Sequence, residues 1–569
     1  MKKTITKALV GYFIIHSISI FLFDYGKIFA QGQAELEQEN LDVNKTNKFE
    51  LISKPPIKTD AQSKPLQPLK ISQETEIDFN EIITFNRLTF KEIPNQLAPT
   101  IPKKVLGNYI KAGFGNYITP YFEGFYSTDL NKKNRYGIFA HHFSSMKGVV
   151  DGTNSGYGNT NVLLFSEHTK EKVTFASSIN YNLERVHYFG YNQNIETPNK
   201  KDIQQTYQRI ETKIDINSRP QKDEFGDSNN DKLGYKISLG FNYFDAKNDI
   251  NEWQIPLLGE IYYSVSEKSK VKINTEFHQT QQNNNFINET KNRSLINIEP
   301  SYNFSIENLT LNIGAGIAYS SDSLLQNTTK SNLFLYPMID FSYQLSRDKL
   351  WILGEIKGGV KPQFLRTLTV QNPFLASLQP LSHTFSQIDA TLIFQAKINK
   401  NLKAGAQIGF AVYENMPFFV PSLTDSSQFG LVYDKVNILR LGASSSYQKN
   451  NFKARLSINY FDYSLTGLEI AHHRPDFQTR LSVGYTFVEK LKTELTFQQL
   501  FGIKTQNPIS QTRYNLKAIN KLSVLMTYKF TDQISMFING YNLLGESYER
   551  FVYYPNNGIT FLVGGKYIF

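Results

Sequence analysis

From about Leu106 to the end of the chain, short stretches alternate apolar and polar residues with a period of two. In one of them Ala454, Leu456, Ile458 and Tyr460 oppose Lys453, Arg455, Ser457 and Asn459. In others Leu481, Val483, Tyr485 and Phe487 oppose Arg480, Ser482, Gly484 and Thr486, and Ile296, Ile298, Tyr302 and Phe304 oppose Asn297, Glu299, Ser301 and Asn303. The last stretch sets Phe561, Val563, Tyr567 and Phe569 against Thr560, Leu562, Gly564, Lys566 and Ile568. Successive side chains of a strand point to opposite faces, so each stretch predicts a strand with one apolar and one polar side. Twenty-two such strands can be counted.

The connections fall into two classes. Short polar turns, such as Glu267 to Ser269, Ile306 to Asn308, Lys400 to Asn401 and Glu489 to Lys490, alternate with longer segments. The long class includes Ser145 to Thr160, Gln279 to Arg293, Ser320 to Lys330, Leu368 to Ser382, Leu465 to Pro475 and Gly502 to Arg513. Only a closed sheet satisfies every backbone group in a bilayer, and outer-membrane barrels have short periplasmic turns and long outer loops. The expected fold is therefore an all-β transmembrane antiparallel barrel of about 22 strands over 106–569, with both termini in the periplasm and no globular plug domain. A soluble β-sandwich or propeller also alternates, but the two loop classes, the export signal and the terminal Phe569 favour the barrel. The polar faces mix charge signs, with Lys272, Glu276, Glu299, Arg440, Arg455, Arg480, Lys492 and Glu494 among them, so the lumen is expected to be wet. Tyr117, Tyr121, Phe122, Tyr553, Tyr554 and Tyr567 are expected in the interfacial girdles.

Residues 1–30 read as a signal peptide. Lys2 and Lys3 precede the apolar run Ala8 to Phe23, and Ala30 before Gln31 is a cleavage point, although Ile28 is larger than usual there. His16 and Ser17 within the run, and Asp24 and Lys27 after it, argue against a retained anchor. Residues 31–105 form a flexible periplasmic segment, polar and proline-punctuated up to Thr75. Its apolar patch, Phe79 to Phe90, is a strand or a segment that tucks into the barrel mouth.

Composition adds exclusions. The 569 residues carry 14% aromatics at a mean hydropathy of -0.37, and no later run suits a spanning helix. With no cysteine there is no disulfide, thiolate metal site or lipoprotein anchor. The net charge of +10 is spread over many turns, which suits anionic lipid headgroups and does not form a nucleic-acid footprint. Outer-membrane lipid is the expected surrounding, and the closing strand ending in Phe569 is the expected handle for the barrel-assembly machinery.

The run NGYNLLGESYERFVYYPNNGITFLVGGKYIF, Asn539 to Phe569, resembles the end of TonB-dependent receptor barrels. NYIKAGFGNYITPYFEGFYS and YGIFAHHFSS resemble opening strands of receptor-like barrels of Bacteroidota. The resemblance implies a 22-stranded barrel in the outer membrane of a Gram-negative cell. It also implies a plug domain of well over a hundred residues, which Gln31 to Leu106 is too short to supply. A barrel this wide needs its lumen filled. The expected closures are inward-folded loops, the Phe79 to Phe90 segment or a partner protein.

Chemistry-bearing constellations are few. His142 and Ser144 share a face in an H-x-S pair that resembles the arrangement of outer-membrane lipid hydrolases, with no orienting acid assignable. His472 and His473 are adjacent and, on an extended chain, point apart. Asp227, Asn229 and Asp231 begin like a calcium loop, without its far acidic ligand. No catalytic, cofactor-binding or metal residue is assigned, and no cofactor or enzyme activity is expected. The expected function is a pore or uptake-related channel for a polar solute. The alternatives are a non-transporting barrel that scaffolds a larger outer-membrane assembly and, remotely, a lipid hydrolase.

Overall fold

The computed structural model describes residues 108–569 apart from short segments at 129–132, 195–197, 219–231, 248–249, 286, 324–328, 347–348, 378, 508–509 and 511. The expected signal peptide, the periplasmic segment, the question of a plug and the Asp227 to Asp231 motif lie outside the described residues.

Chain order begins with β1 (Tyr109–Gly115), β2 (Thr119–Ser127), β3 (Asn134–Ser145), β4 (Tyr157–Thr169), β5 (Val173–His187) and β6 (Gln204–Ser218). It continues through β7 (Leu233–Ala246), β8 (Ile250–Ser266), β9 (Ser269–Asn284), β10 (Glu289–Ile306), β11 (Leu309–Ser323) and β12 (Thr329–Ser346). Next come β13 (Leu350–Lys361), β14 (Thr384–Lys397), β15 (Leu402–Pro421), β16 (Phe429–Lys449), β17 (Phe452–Leu465) and β18 (Phe477–Phe487). The last are β19 (Leu491–Phe501), a small hairpin of β20 (Lys504–Gln506) and β21 (Arg513–Asn515), then β22 (Ile519–Lys529), β23 (Ile534–Tyr541) and β24 (Thr560–Ile568). Two short helices, α1 (Lys200–Ile203) and α2 (Leu365–Gln371), lie in connections.

All strands except the hairpin form one 22-stranded antiparallel sheet that closes on itself, β1 pairing with β2 on one side and β24 on the other. Tyr109 faces Ile568, and the Phe569 amide donates to the Asn108 carbonyl at 2.8 Å, so β1 begins where β24 ends. The sequence-derived alternation holds in three dimensions. Phe561, Val563, Tyr567 and Phe569 are exposed on the outer face, whereas Thr560 and Leu562 are buried inside. Ile237, Leu239 and Phe241 on β7, and Ile313 and Ile317 on β11, continue that outer band, and Leu333 and Leu335 on β12 are each 70% exposed. Soluble monomers do not tolerate a continuous apolar ring of this extent. The inner face holds ion pairs instead, such as Arg209 with Glu184 at 2.9 Å and Lys357 with Glu299 at 3.2 Å.

Two expected long loops are shorter than the sequence implied. β9 runs on to Asn284 and β10 starts at Glu289, while β11 and β12 reach Ser323 and Thr329. The ladder continues through these polar stretches beyond the apolar band, because wet strand ends need no apolar face. Two of the expected girdle residues also lie elsewhere. Tyr121 faces inward and donates to Glu123 at 2.7 Å, and Tyr554 is fully buried among the outer loops. Phe122 and Tyr567 are exposed on the outer face, as a girdle requires.

Candidate functional site

The two ends of the barrel differ in kind, and the feature that sets the outer end apart is the connection between β13 and β14, residues 362–383. It begins beside an irregularity in the ladder between Lys357 and Gly359, where Gly359 takes a φ of 144° that other residues rarely adopt. It then turns into the helix α2. The Thr367 hydroxyl accepts the Phe364 amide at 3.3 Å, and the Glu252 carboxylate accepts the Leu365 amide at 3.2 Å. A carboxylate against the first free amides is favourable at a helix N-terminus. Asn372 before Pro373 ends the helix, and its side chain accepts the Phe374 amide at 3.0 Å.

Three arginines tie this strap to the wall. Arg366, on α2, donates to Glu211 of β6 at 2.9 Å and to Gln254 of β8 at 2.9 and 3.1 Å. Arg209 of β6 donates to Thr369 of α2 at 2.9 Å while also holding Glu184 of β5. Arg293 of β10 donates to the Gln363 carbonyl at 2.7 Å, to Asp322 of β11 at 3.2 Å and to His383 Nδ1 at 2.9 Å. All three are at least 95% buried, so each charge needs these partners. The Tyr207 and Tyr188 hydroxyls add bonds to the Pro373 and Leu375 carbonyls at 2.8 and 3.1 Å.

The strap's other flank reaches the opposite wall. Leu375 forms a parallel bridge with Phe429, the first residue of β16, and backbone bonds link Ala376 to Phe429 and Phe429 to Phe374 at 2.8 and 3.0 Å. Gln379 accepts the Leu431 amide at 2.6 Å, and the Tyr433 hydroxyl accepts the Ser382 amide at 3.1 Å. β6 and β16 stand ten places apart in a ring of twenty-two, close to diametrically opposite. A segment bonded to both therefore spans the mouth.

The other outer loops pack onto it. Tyr554, between β23 and β24, stacks on Phe374 with ring centroids 3.5 Å apart and donates to the Ser427 carbonyl. Phe551, Phe429, Phe419, Leu365 and Leu368 join the same buried cluster. His473, between β17 and β18, is the hub of the neighbouring loops. Its Nδ1 donates to the Phe419 carbonyl at 2.9 Å, and its Nε2 accepts the Val552 amide at 3.4 Å. Its own amide donates to the Lys504 carbonyl at 2.9 Å, and Arg550 donates to its carbonyl. This pattern requires a neutral imidazole. Burial, then the neighbouring His472 and Arg550, hold its pKa well below the ordinary value, and burial lowers that of His472 to about 4. His383, which accepts from both Arg293 and the Gln363 amide through Nδ1, is likewise held well below by burial, Arg293 and His278.

The residue pairs singled out in the sequence resolve as follows. His142 Nε2 lies 3.2 Å from Ser144 Oγ, and His142 Nδ1 lies 2.9 Å from the Thr160 hydroxyl. The third group is thus a neutral hydroxyl, which carries no charge to stabilise an imidazolium, and Ser144 is buried. His472 and His473 are both buried with ring centroids 6.3 Å apart. Among the described residues no group of three or more His, Asp or Glu side chains is placed to hold a metal ion. The strap's anchors were missed in the sequence. Arg209 and Arg293 sit among other charged strand residues, and Arg366 is a single cation in a neutral loop, so none of the three carried a distinguishing signal.

No protein-family model and no curated protein matches the sequence. Solved structures do. The FrpB iron transporter from Neisseria meningitidis superposes with a TM-score of 0.64 at 9% identity, over 81% of this chain and 82% of that one. The siderophore receptor PirA from Acinetobacter baumannii gives 0.61 at 11%, over 81% and 80%. The ferric-catecholate import receptor Fiu from E. coli gives 0.60 at 9%, over 82% of each chain. At these identities the likeness establishes the fold alone, a closed 22-stranded antiparallel barrel.

Proposed function

We propose that this chain is an outer-membrane barrel that admits a polar solute through an entrance guarded by its own outer loops. One observation carries the reading: a strap bonded to opposite walls lies over a lumen lined with paired charges and amides. A polar lumen suits passage of a hydrated solute, and a roof held by a small number of specific contacts suits a gate. The resemblance to receptor barrels supports uptake rather than passive leakage. The barrel fold and its apolar outer band support placing the chain in the outer membrane of a Gram-negative bacterium.

The roof also fits the second reading, a non-transporting barrel within a larger assembly, and a locked gate separates the two. The chain has no cysteine, so Leu375→Cys with Phe429→Cys, opposed in a bridge, introduces one defined cross-link. Proteoliposome uptake of small polar solutes is expected to be lost on oxidation and to return on reduction. Uptake by neither form, with the chain still correctly inserted, would replace the channel by the scaffold.

A further inference from the structure

Among the described residues, the buried lysines and arginines have partners with one exception. Lys521 is the third residue of β22, counted from the outer end, and is 7% exposed. Its Nζ is buried and has no hydrogen-bond partner. It faces the lumen, because it shares a strand face with Leu525, which packs against Phe537 and Tyr541 inside the barrel. The loop after β23 crosses close by, the Leu543 amide donating to the Leu522 carbonyl at 2.9 Å.

The ladder places Lys521 opposite Gln498 of β19, Gln498 opposite Arg480 of β18, Arg480 opposite Ser457 of β17, and Ser457 opposite Ser444 of β16. Residues directly opposed in an antiparallel ladder point to the same face. The row is therefore a continuous band of hydrogen-bond donors on the lumen wall without a carboxylate among its members. Arg480, two strands along the same row, carries a charge of the same sign. Burying an ammonium is unfavourable when no opposite charge or acceptor compensates it. An anion at this row would supply the missing partner.

We propose that Lys521, with Gln498 opposite it on β19, forms an anion-binding subsite on the lumen wall beneath the outer loops, which takes a carboxylate or phosphate group of the solute. The inference rests on the uptake reading and makes it specific: the solute is anionic. The lysine supplies the point charge and the amide a neutral donor.

The test is calorimetric titration of the full-length protein with citrate and, separately, with inorganic phosphate, using a neutral disaccharide as control. Each is measured in the wild-type chain and in Arg293→Ala, whose loosened strap keeps the roof from hiding the site. Saturable binding of either anion is expected, and the two arms identify the group preferred. Lys521→Met is expected to weaken it at least tenfold while melting at the same or a higher temperature, and Lys521→Arg to retain it. No binding in either background, or binding that survives Lys521→Met, would overturn the proposal. A merely structural lysine would instead lower the melting temperature on replacement without an anion effect. Binding without transport of the same anion into proteoliposomes would leave the subsite standing and remove the uptake role.

Discussion

The outer and inner ends of this barrel are made from the same alternating strands, yet they solve different problems. At the inner end the connections are tight, as between Phe487 and Leu491, where Val488 and Glu489 both take positive φ and Val488 is 87% exposed. These residues reverse the chain and bury nothing. At the outer end, Phe374, Phe429, Phe551 and Tyr554 form a core of their own, threaded with buried arginines. The wall is therefore held by its ladder and the roof by side chains. Substitutions at the two ends are expected to act on different properties: opening at one, bulk stability at the other.

The largest effect is expected at Arg293. Arg293→Ala leaves Asp322, 3% exposed, without its cation and removes the bond to Gln363, a loss of about 3–5 kcal/mol concentrated in the strap. Hydrogen exchange at the Leu368 and Asn372 amides should quicken several hundredfold while the ladder of β17 and β18 stays protected. Uniform quickening would mean that roof and wall form one unit.

Acid should act next, on the roof. The buried imidazoles of His472 and His473 have folded pKa values below the ordinary 6.5, to about 4 for His472. Their stabilisation is thus complete above pH 6.5 and declines as pH falls towards 4, by up to roughly 1.4 kcal/mol per pH unit for each histidine. Protonation of His473 would also set an N–H against the Val552 amide. Protease sensitivity of the outer loops should rise between pH 6.5 and 4 and be blunted in His472→Gln. An unchanged profile in that variant would remove His472 from the account.

Tyr433→Phe deletes the acceptor of the Ser382 amide and should loosen the strap's second anchor by about 1 kcal/mol, measured by the same exchange experiment. The smallest effect belongs to the inner end. Val488→Gly relieves a β-branched residue at a φ of 48° and should raise overall stability by about 1 kcal/mol in thermal melts, leaving strap exchange untouched.

This division also explains what was legible in the sequence. Strand number, strand faces and barrel closure are written locally, because a period of two and a turn signal need only neighbouring residues, as in Leu481 to Phe487 or Thr560 to Phe569. The roof is written in contacts between residues far apart. Nothing near Tyr554 in the chain marks it as a core residue stacked on Phe374, so its aromatic character alone pointed to the membrane interface. His473 likewise looked like half of an exposed pair, although it joins Phe419, Lys504 and Val552. Lys521 was unremarkable in a mixed polar face, and its lack of a partner became visible only with the neighbouring strands in place.

The most direct test of the proposed self-roofed channel is single-channel conductance in a planar bilayer. It compares the wild-type chain with one in which 363–382 is replaced by a short turn, each with and without residues 31–105. The wild-type chain should be silent or weakly conducting in both forms, and the strap-less chain without 31–105 should show large, stable conductance. Large conductance from the wild-type chain, or silence from the strap-less chain in both forms, would contradict the claim that the strap closes the lumen.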